Sequence, residues 1–122
     1  MNIVCLSGNI CRDIELRQTS GGKEVVSNTI AVQREFKNAQ GEYESDFISF
    51  VVWGASAKYL STHASKGDRI ELVGRWSVRS YEENGVKKYV NECVADKVKV
   101  FSSKKKQEIE ELPVIEDDDL PF

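Results

Sequence analysis

Hydrophobic and polar residues alternate with a period of two over most of the first hundred positions, the pattern of half-buried strands. "NIVCLSGNIC" is rich in β-branched and small residues and stops at a charged "RD". Gly21-Gly22 marks a tight turn, and "EVVSNTIAVQREF" follows it. The polar stretch "KNAQGEYES", with Gly41, predicts a hairpin loop. "DFISFVVWG" is the strongest strand pattern in the chain. "ASAKYLSTHA" is the one convincing short helix, with its alanines, Tyr59 and Leu60 at helical spacing and "KGD" closing it. "RIELVGRWSVRSY" and "VKKYVNECVADKVKVF" are the last strands. They are joined across "EENG", where Asn84-Gly85 suits a tight hairpin turn needing two left-handed residues.

These elements predict an all-β fold of five mostly antiparallel strands, with one short helix between strands 3 and 4. The absence of βαβ alternation argues against a parallel sheet. A helix in that slot suits a five-stranded Greek-key barrel of the OB type. From Ser102 the pattern fails: "SSKKKQEIEELPVIEDDDLPF" is mostly charged and has no usable period. Such a segment cannot bury enough apolar surface to offset its ordering entropy, so it reads as a disordered acidic tail. The expected division is therefore a domain over residues 1–103 and a tail over 104–122.

Charge changes the picture once it is partitioned. The formal net charge of −3 argues against a polyanionic partner. Yet residues 107–122 carry seven of the 20 acids and no base, so the first 106 residues hold all 17 bases against 13 acids, a net +4. A mildly basic body with a strongly acidic tail is the asymmetry expected of a polyanion-binding domain.

Other classes find little support. No stretch approaches the roughly 18 apolar residues of a membrane-spanning helix. The first residues lack the basic region of a signal peptide. Three cysteines (Cys5, Cys11 and Cys93) with no CxxC pair point to a reducing cytoplasm rather than a disulfide framework. They read as small buried strand residues. With the lone His63 they match no zinc spacing, so no metal and no cofactor are expected. The P-loop, HExxH and nucleophile-elbow patterns are absent, so the chain is not expected to be an enzyme.

Alternation assigns strand faces. In "DFISFVVW", Ile48, Phe50 and Val52 share one face, and Phe47, Ser49, Val51 and Trp53 the other. In "RIELVGRWSVRSY", Ile70, Leu72, Trp76 and Val78 form the expected core face. Arg69, Glu71, Val73, Arg75, Ser77, Arg79 and Tyr81 oppose them. One face in each strand thus mixes large aromatics with arginines and serines. A second apolar layer or a subunit contact would account for Phe47 and Trp53. A stacking platform for unpaired bases accounts for the arginines as well. Each ring then contributes about 1–3 kcal/mol per base, a scale taken from single-strand binders rather than from this chain. Phe36 and Tyr81 extend the platform towards two loops, where Lys37, Lys87 and Lys88 can follow the phosphates.

The ending "IEDDDLPF" is a further anomaly, since a like-charged run finishes in Leu120, Pro121 and Phe122 with no core to enter. Frayed sequence and a partner-binding hook are both consistent with it.

At these residues the chain resembles bacterial single-stranded DNA-binding proteins over nearly its whole length. The matching stretches are "SGNICRDIELR", "SNTIAV", "DFISFVVWG", "YLSTHASKGDRIELVGRW" and the terminal "DDDLPF". The resemblance implies an OB-fold homotetramer, without cofactor, that wraps single-stranded DNA in replication, recombination and repair. Position by position it implies base stacking by Phe36, Phe47, Trp53 and Tyr81, and basic contacts at Lys66, Arg79 and Arg17. It also implies that Asp117, Asp118, Asp119, Leu120, Pro121 and Phe122 form a tip that recruits replication, recombination and repair proteins. The implied place of action is the cytoplasm, on the nucleoid, or a host's cytoplasm for a phage-encoded form. Departures are several family tryptophans replaced by Phe or Tyr, Ser49 where a basic residue is common, and a nearly absent linker before the tip. These suggest a phage, plasmid or accessory version. An OB-fold protein-interaction module of a replication complex is the alternative.

Overall fold

The computed structural model describes residues 1–101. The expected boundary near Ser103 and the whole acidic tail, with its Asp117–Phe122 tip, lie outside those residues. The elements are β1 (Val4–Ile10), β2 (Arg17–Gln18), β3 (Glu24–Lys37), β4 (Tyr43–Trp53), α1 (Ala55–His63), β5 (Arg69–Glu83) and β6 (Val86–Phe101).

The strands lie in the order β1-β5-β6-β4-β3-β2, and β1 also pairs with β3. The five long strands therefore close into a barrel, and the two-residue β2 is an addition beside Glu24 and Val25 of β3. β1 closes the ring through Asn9 and Ile10 opposite Ala31 and Ile30. β4 and β6 run parallel, with Phe50 beside Cys93; the other described pairings are antiparallel. This is the OB-type Greek-key barrel expected from the strand pattern, with α1 between the third and fourth long strands.

The interior takes one side of each strand. Phe50, Ile30, Leu60, Ile70, Leu72, Val26 and Val52 are fully buried. Each such side chain contributes about 1.5–3 kcal/mol relative to leaving it in water. α1 packs against β3, β4 and β6 and lays Ala57, Leu60 and Ala64 onto this core. The Asn84-Gly85 turn has φ of 53° and 78°, the two left-handed residues that a tight β5–β6 hairpin needs.

The β5–β6 register shifts between Val73 and Gly74, leaving Asp96 as the extra residue on β6. The carbonyl of Asp96 accepts a hydrogen bond from Ser56 Oγ on α1 at 3.3 Å. At Gly74 the two backbones approach so closely that a Cβ would strike the Val94 carbonyl and the Ala95 backbone.

Three expectations need correction. Trp76 and Val78, assigned to the core face with Ile70 and Leu72, are 38% and 63% exposed. β1, the in-sheet neighbour of β5, ends at Val4 opposite Gly74; beyond it, among the described residues, β5 pairs with β6 alone and its inward side chains stay exposed. There the Asn2 side chain takes over, donating to the Trp76 carbonyl and accepting from the Trp76 N–H, both at 2.8 Å. Of the cysteines only Cys93 is buried, and burial pushes its thiol pKa up; Cys11 is half-buried and Cys5 exposed. The loop read as "KNAQGEYES" is shorter than expected, because the Asn38 side chain accepts from the N–H groups of Gln40 and Glu42 and ties the strands together early.

Candidate nucleic-acid interface

The outer surface of β4 is where apolar rings meet water. Ile48, Phe50 and Val52 point inward, so Phe47, Ser49, Val51 and Trp53 point out. Pairing with β3 sets Ala31 beside Phe47, Thr29 beside Ser49, Ser27 beside Val51 and Val25 beside Trp53. On the other side Val51 is beside Val94 of β6, and Val94 is beside Arg75 of β5. Further along the same ladder Ser77 faces Glu92, Arg79 faces Val90 and Tyr81 faces Lys88. Paired residues share a face and the period is two, so Phe47, Trp53 and Tyr81 lie on one outer face of one continuous sheet. These three residues are 70%, 44% and 41% exposed.

Trp53 is held in place by the turn at Gly54. Gly54 has φ 66°, a conformation that side chains rarely adopt, and its N–H bonds to the Glu24 carbonyl at 2.8 Å. The chain turns there into α1, leaving Trp53 at the rim of a shallow recess with Lys23, Glu24 and Lys58. The two lysines beside the ring escape a reading of the sequence, because they lie far apart in the chain and converge only through this turn. Phe36 is the most exposed of the four candidate rings. It sits in the irregular stretch between Gln33 and Lys37, where the register assigns it to neither face.

The candidate cations separate into groups. Arg75 makes no ion pair among the described residues and stands on the aromatic face. Arg79 shares that face but is paired with the buried Glu92 at 3.1 Å. Arg17 is tied to Glu15 at 2.8 Å. Lys37 lies over the Tyr43 ring, 5.7 Å from its centroid. Lys87 lies over the Tyr89 ring at the same distance, on the ribbon face opposite Tyr81. Lys66 is exposed on the α1–β5 turn, which bonds to the end of β1 through Gly67 N–H and the Ile10 carbonyl. The structure thus brings Arg75, Arg79 and Tyr81 to the β4 aromatics and leaves Lys66 and Lys87 elsewhere.

The β3–β4 hairpin that carries Phe36 and Phe47 is braced by Arg34, which reaches Asp46 at 2.9 Å and Glu44 at 3.1 Å. The hydrogen bond from Arg34 holds the Asp46 carboxyl below its ordinary range, and the same bond raises the guanidinium. Among the described residues no group of His, Cys, Asp or Glu is placed to hold a metal ion, and no helix is long and apolar enough to cross a membrane.

Comparison with known proteins agrees with this geometry. The model of the Single-strand binding protein family matches residues 1–101. Single-stranded DNA-binding protein 1 of Lactococcus lactis is 44% identical over 108 residues, which is 88% of this chain and 72% of that protein. Single-stranded DNA-binding protein B of Bacillus subtilis is 40% identical over 107 residues, covering 87% of this chain and 95% of its own length. The Single-stranded DNA-binding protein of Streptococcus mutans is 41% identical over 109 residues, but this chain spans only 66% of it. The chain belongs to the single-strand binding protein family.

Proposed function

We propose that the protein binds single-stranded DNA without regard to sequence, stacking bases on Phe36, Phe47, Trp53 and Tyr81. The phosphates are followed by Arg75 and Arg79 beside the rings, with Arg17, Lys37, Lys66 and Lys87 contributing where the strand passes them. One observation carries this reading: Phe47, Trp53 and Tyr81 are left exposed on one outer face that also holds arginines. Large aromatics grouped on a wet surface are the unusual feature, since they forgo burial unless something flat covers them. Unpaired bases supply flat faces of every sequence.

The working form is a homotetramer acting in the cytoplasm. In support, the Val4–Gly8 stretch of β1 pairs with β5 on one edge and, among the described residues, is unpaired on the other, and Ile3 and Cys5 beside that edge are exposed. Such an edge is a template for a second chain. The Asp117–Phe122 tip recruits replication, recombination and repair enzymes by offering carboxylates and one apolar hook to a basic-rimmed pocket.

The test is quenching of Trp53 and Trp76 fluorescence by a pyrimidine oligonucleotide of tens of residues, repeated at rising salt. Saturable quenching that weakens with salt is expected. No quenching would leave a protein-interaction module as the reading of the aromatic face. Deleting Asp117–Phe122 should abolish enzyme capture and leave DNA affinity equal or higher, because an acidic segment competes with phosphate.

A further inference from the structure

We propose that Arg12, in the loop after β1, is a phosphate contact of the same face, aimed there by Asn28 and Thr29. The assignment rests on the single-stranded DNA reading above and extends it to a residue outside the strands that carry the rings.

Asn28 is an inward position of β3 and is 1% exposed, yet it is polar. Its side-chain amide is fully used. Oδ1 accepts from the N–H of Arg12 at 3.3 Å and of Thr29 at 2.6 Å; Nδ2 donates to the carbonyls of Arg12 at 3.0 Å and Asp13 at 3.3 Å. A buried amide with both ends satisfied fixes the backbone it holds. It clamps the loop at Arg12 against β3. The side chain of Arg12 then reaches outward, where one Nη2–H donates to Thr29 Oγ1 at 2.9 Å.

Thr29 is beside Ser49, and Ser49 lies two residues from Phe47 and four from Trp53 on the outer face of β4. The guanidinium is therefore anchored beside the aromatic row, between the levels of its two rings. Arg75 holds the corresponding place across the row, since Val51 separates it from β3 through Val94. The rings are flanked by an arginine on each side.

Ion pairing divides the arginines, and Arg12, like Arg69 and Arg75, makes no ion pair among the described residues. Arg17, Arg34 and Arg79 are each bound to a carboxylate. Arg12 is held by a neutral hydroxyl, so its positive charge and its remaining N–H donors stay available for an anion. It also lines a cleft with Asp13, Glu15, Arg17, Val25 and Ser27. There Glu15 is already engaged by Arg17.

The experiment titrates full-length protein with a thymidine oligonucleotide of tens of residues between about 50 and 200 mM salt, a range over which phosphate contacts are resolved. Arg12→Gln should lower affinity about tenfold, the scale of one charge-assisted hydrogen bond. It should also make the slope of log affinity against log salt shallower by about 0.7 for each Arg12 the strand crosses. Arg12→Lys should restore the slope but not the full affinity. Thr29→Val should cost a few-fold in affinity with the wild-type slope, because it removes the aim and keeps the charge. A wild-type slope and affinity in Arg12→Gln overturns the proposal. Trp53→Ala, measured in parallel, judges the stacking reading separately: if it alone weakens binding, only the role of Arg12 falls.

Discussion

The β5–β6 hairpin is one ladder in two environments. From Arg69 to Gly74, β5 lies between β1 and β6, and its side chains alternate strictly between exposed and buried. From Arg75 to Glu83 it pairs, among the described residues, with β6 alone, and every residue except the half-buried Ser77 is exposed. The amino-acid alternation does not change at Gly74; the difference is whether another layer lies over the inward side. The proximal half stabilises the barrel. The distal half carries Tyr81, Arg75 and Arg79 out to solvent, where a ligand can reach them.

Gly74 marks the border, and substituting it should have the largest effect of the changes considered. In Gly74→Ala the new methyl meets backbone atoms of β6, which cannot swing away as a flexible side chain would. The expected cost is about 3 kcal/mol or more, at the upper end for overpacked sites. Urea unfolding measures it directly. A loss below about 1 kcal/mol would mean that the bulge relaxes and that the border is not set by this close approach.

The border also explains which features are legible in the sequence. The positions of the long strands, the helix and the Asn84-Gly85 turn are readable because each follows from local chemistry: a period of two, a helical spacing, a pair of residues tolerant of left-handed backbone. The outward rings Phe47, Trp53 and Tyr81 are readable for the same reason, since alternation fixes a face. Trp76 and Val78 are misassigned by it because periodicity reports direction, whereas burial depends on what covers that side, and beyond Gly74 the inward side is exposed. Cys5 misleads in the same way: it has Val73 beside it on the outer side of the sheet, with no layer above. The pairing of Arg79 with Glu92 and the clamp of Asn28 on the loop at Arg12 are contacts across 13 and 16 positions. No pattern in the sequence announces either one.

Binding separates the halves next. Tyr81→Ala should weaken oligonucleotide binding by about 1–3 kcal/mol while leaving the urea midpoint close to wild type. Trp53→Ala should behave alike, and Lys88→Ala should cost much less, because a rim lysine supplies only a screened charge. Equal losses in the ring and lysine variants would show that phosphate contacts dominate over stacking.

The smallest effect sharpens the comparison most. Val78 lies on the inward side of the ribbon, paired with Asn91 and followed on that side by Ser80 opposite Tyr89. If that side is open to water in solution, Val78→Thr changes one methyl for a hydroxyl of nearly the same shape on a strand, and stability should move by less than about 0.5 kcal/mol. The same substitution beneath a second layer leaves a hydroxyl without water, at a cost of about 1–3 kcal/mol. Measured against protein concentration, the two outcomes separate cleanly. A small, concentration-independent change keeps the distal ribbon open on both faces. A large cost that grows on moving from dilute to concentrated protein means that another copy of the chain covers the inward side of the ribbon.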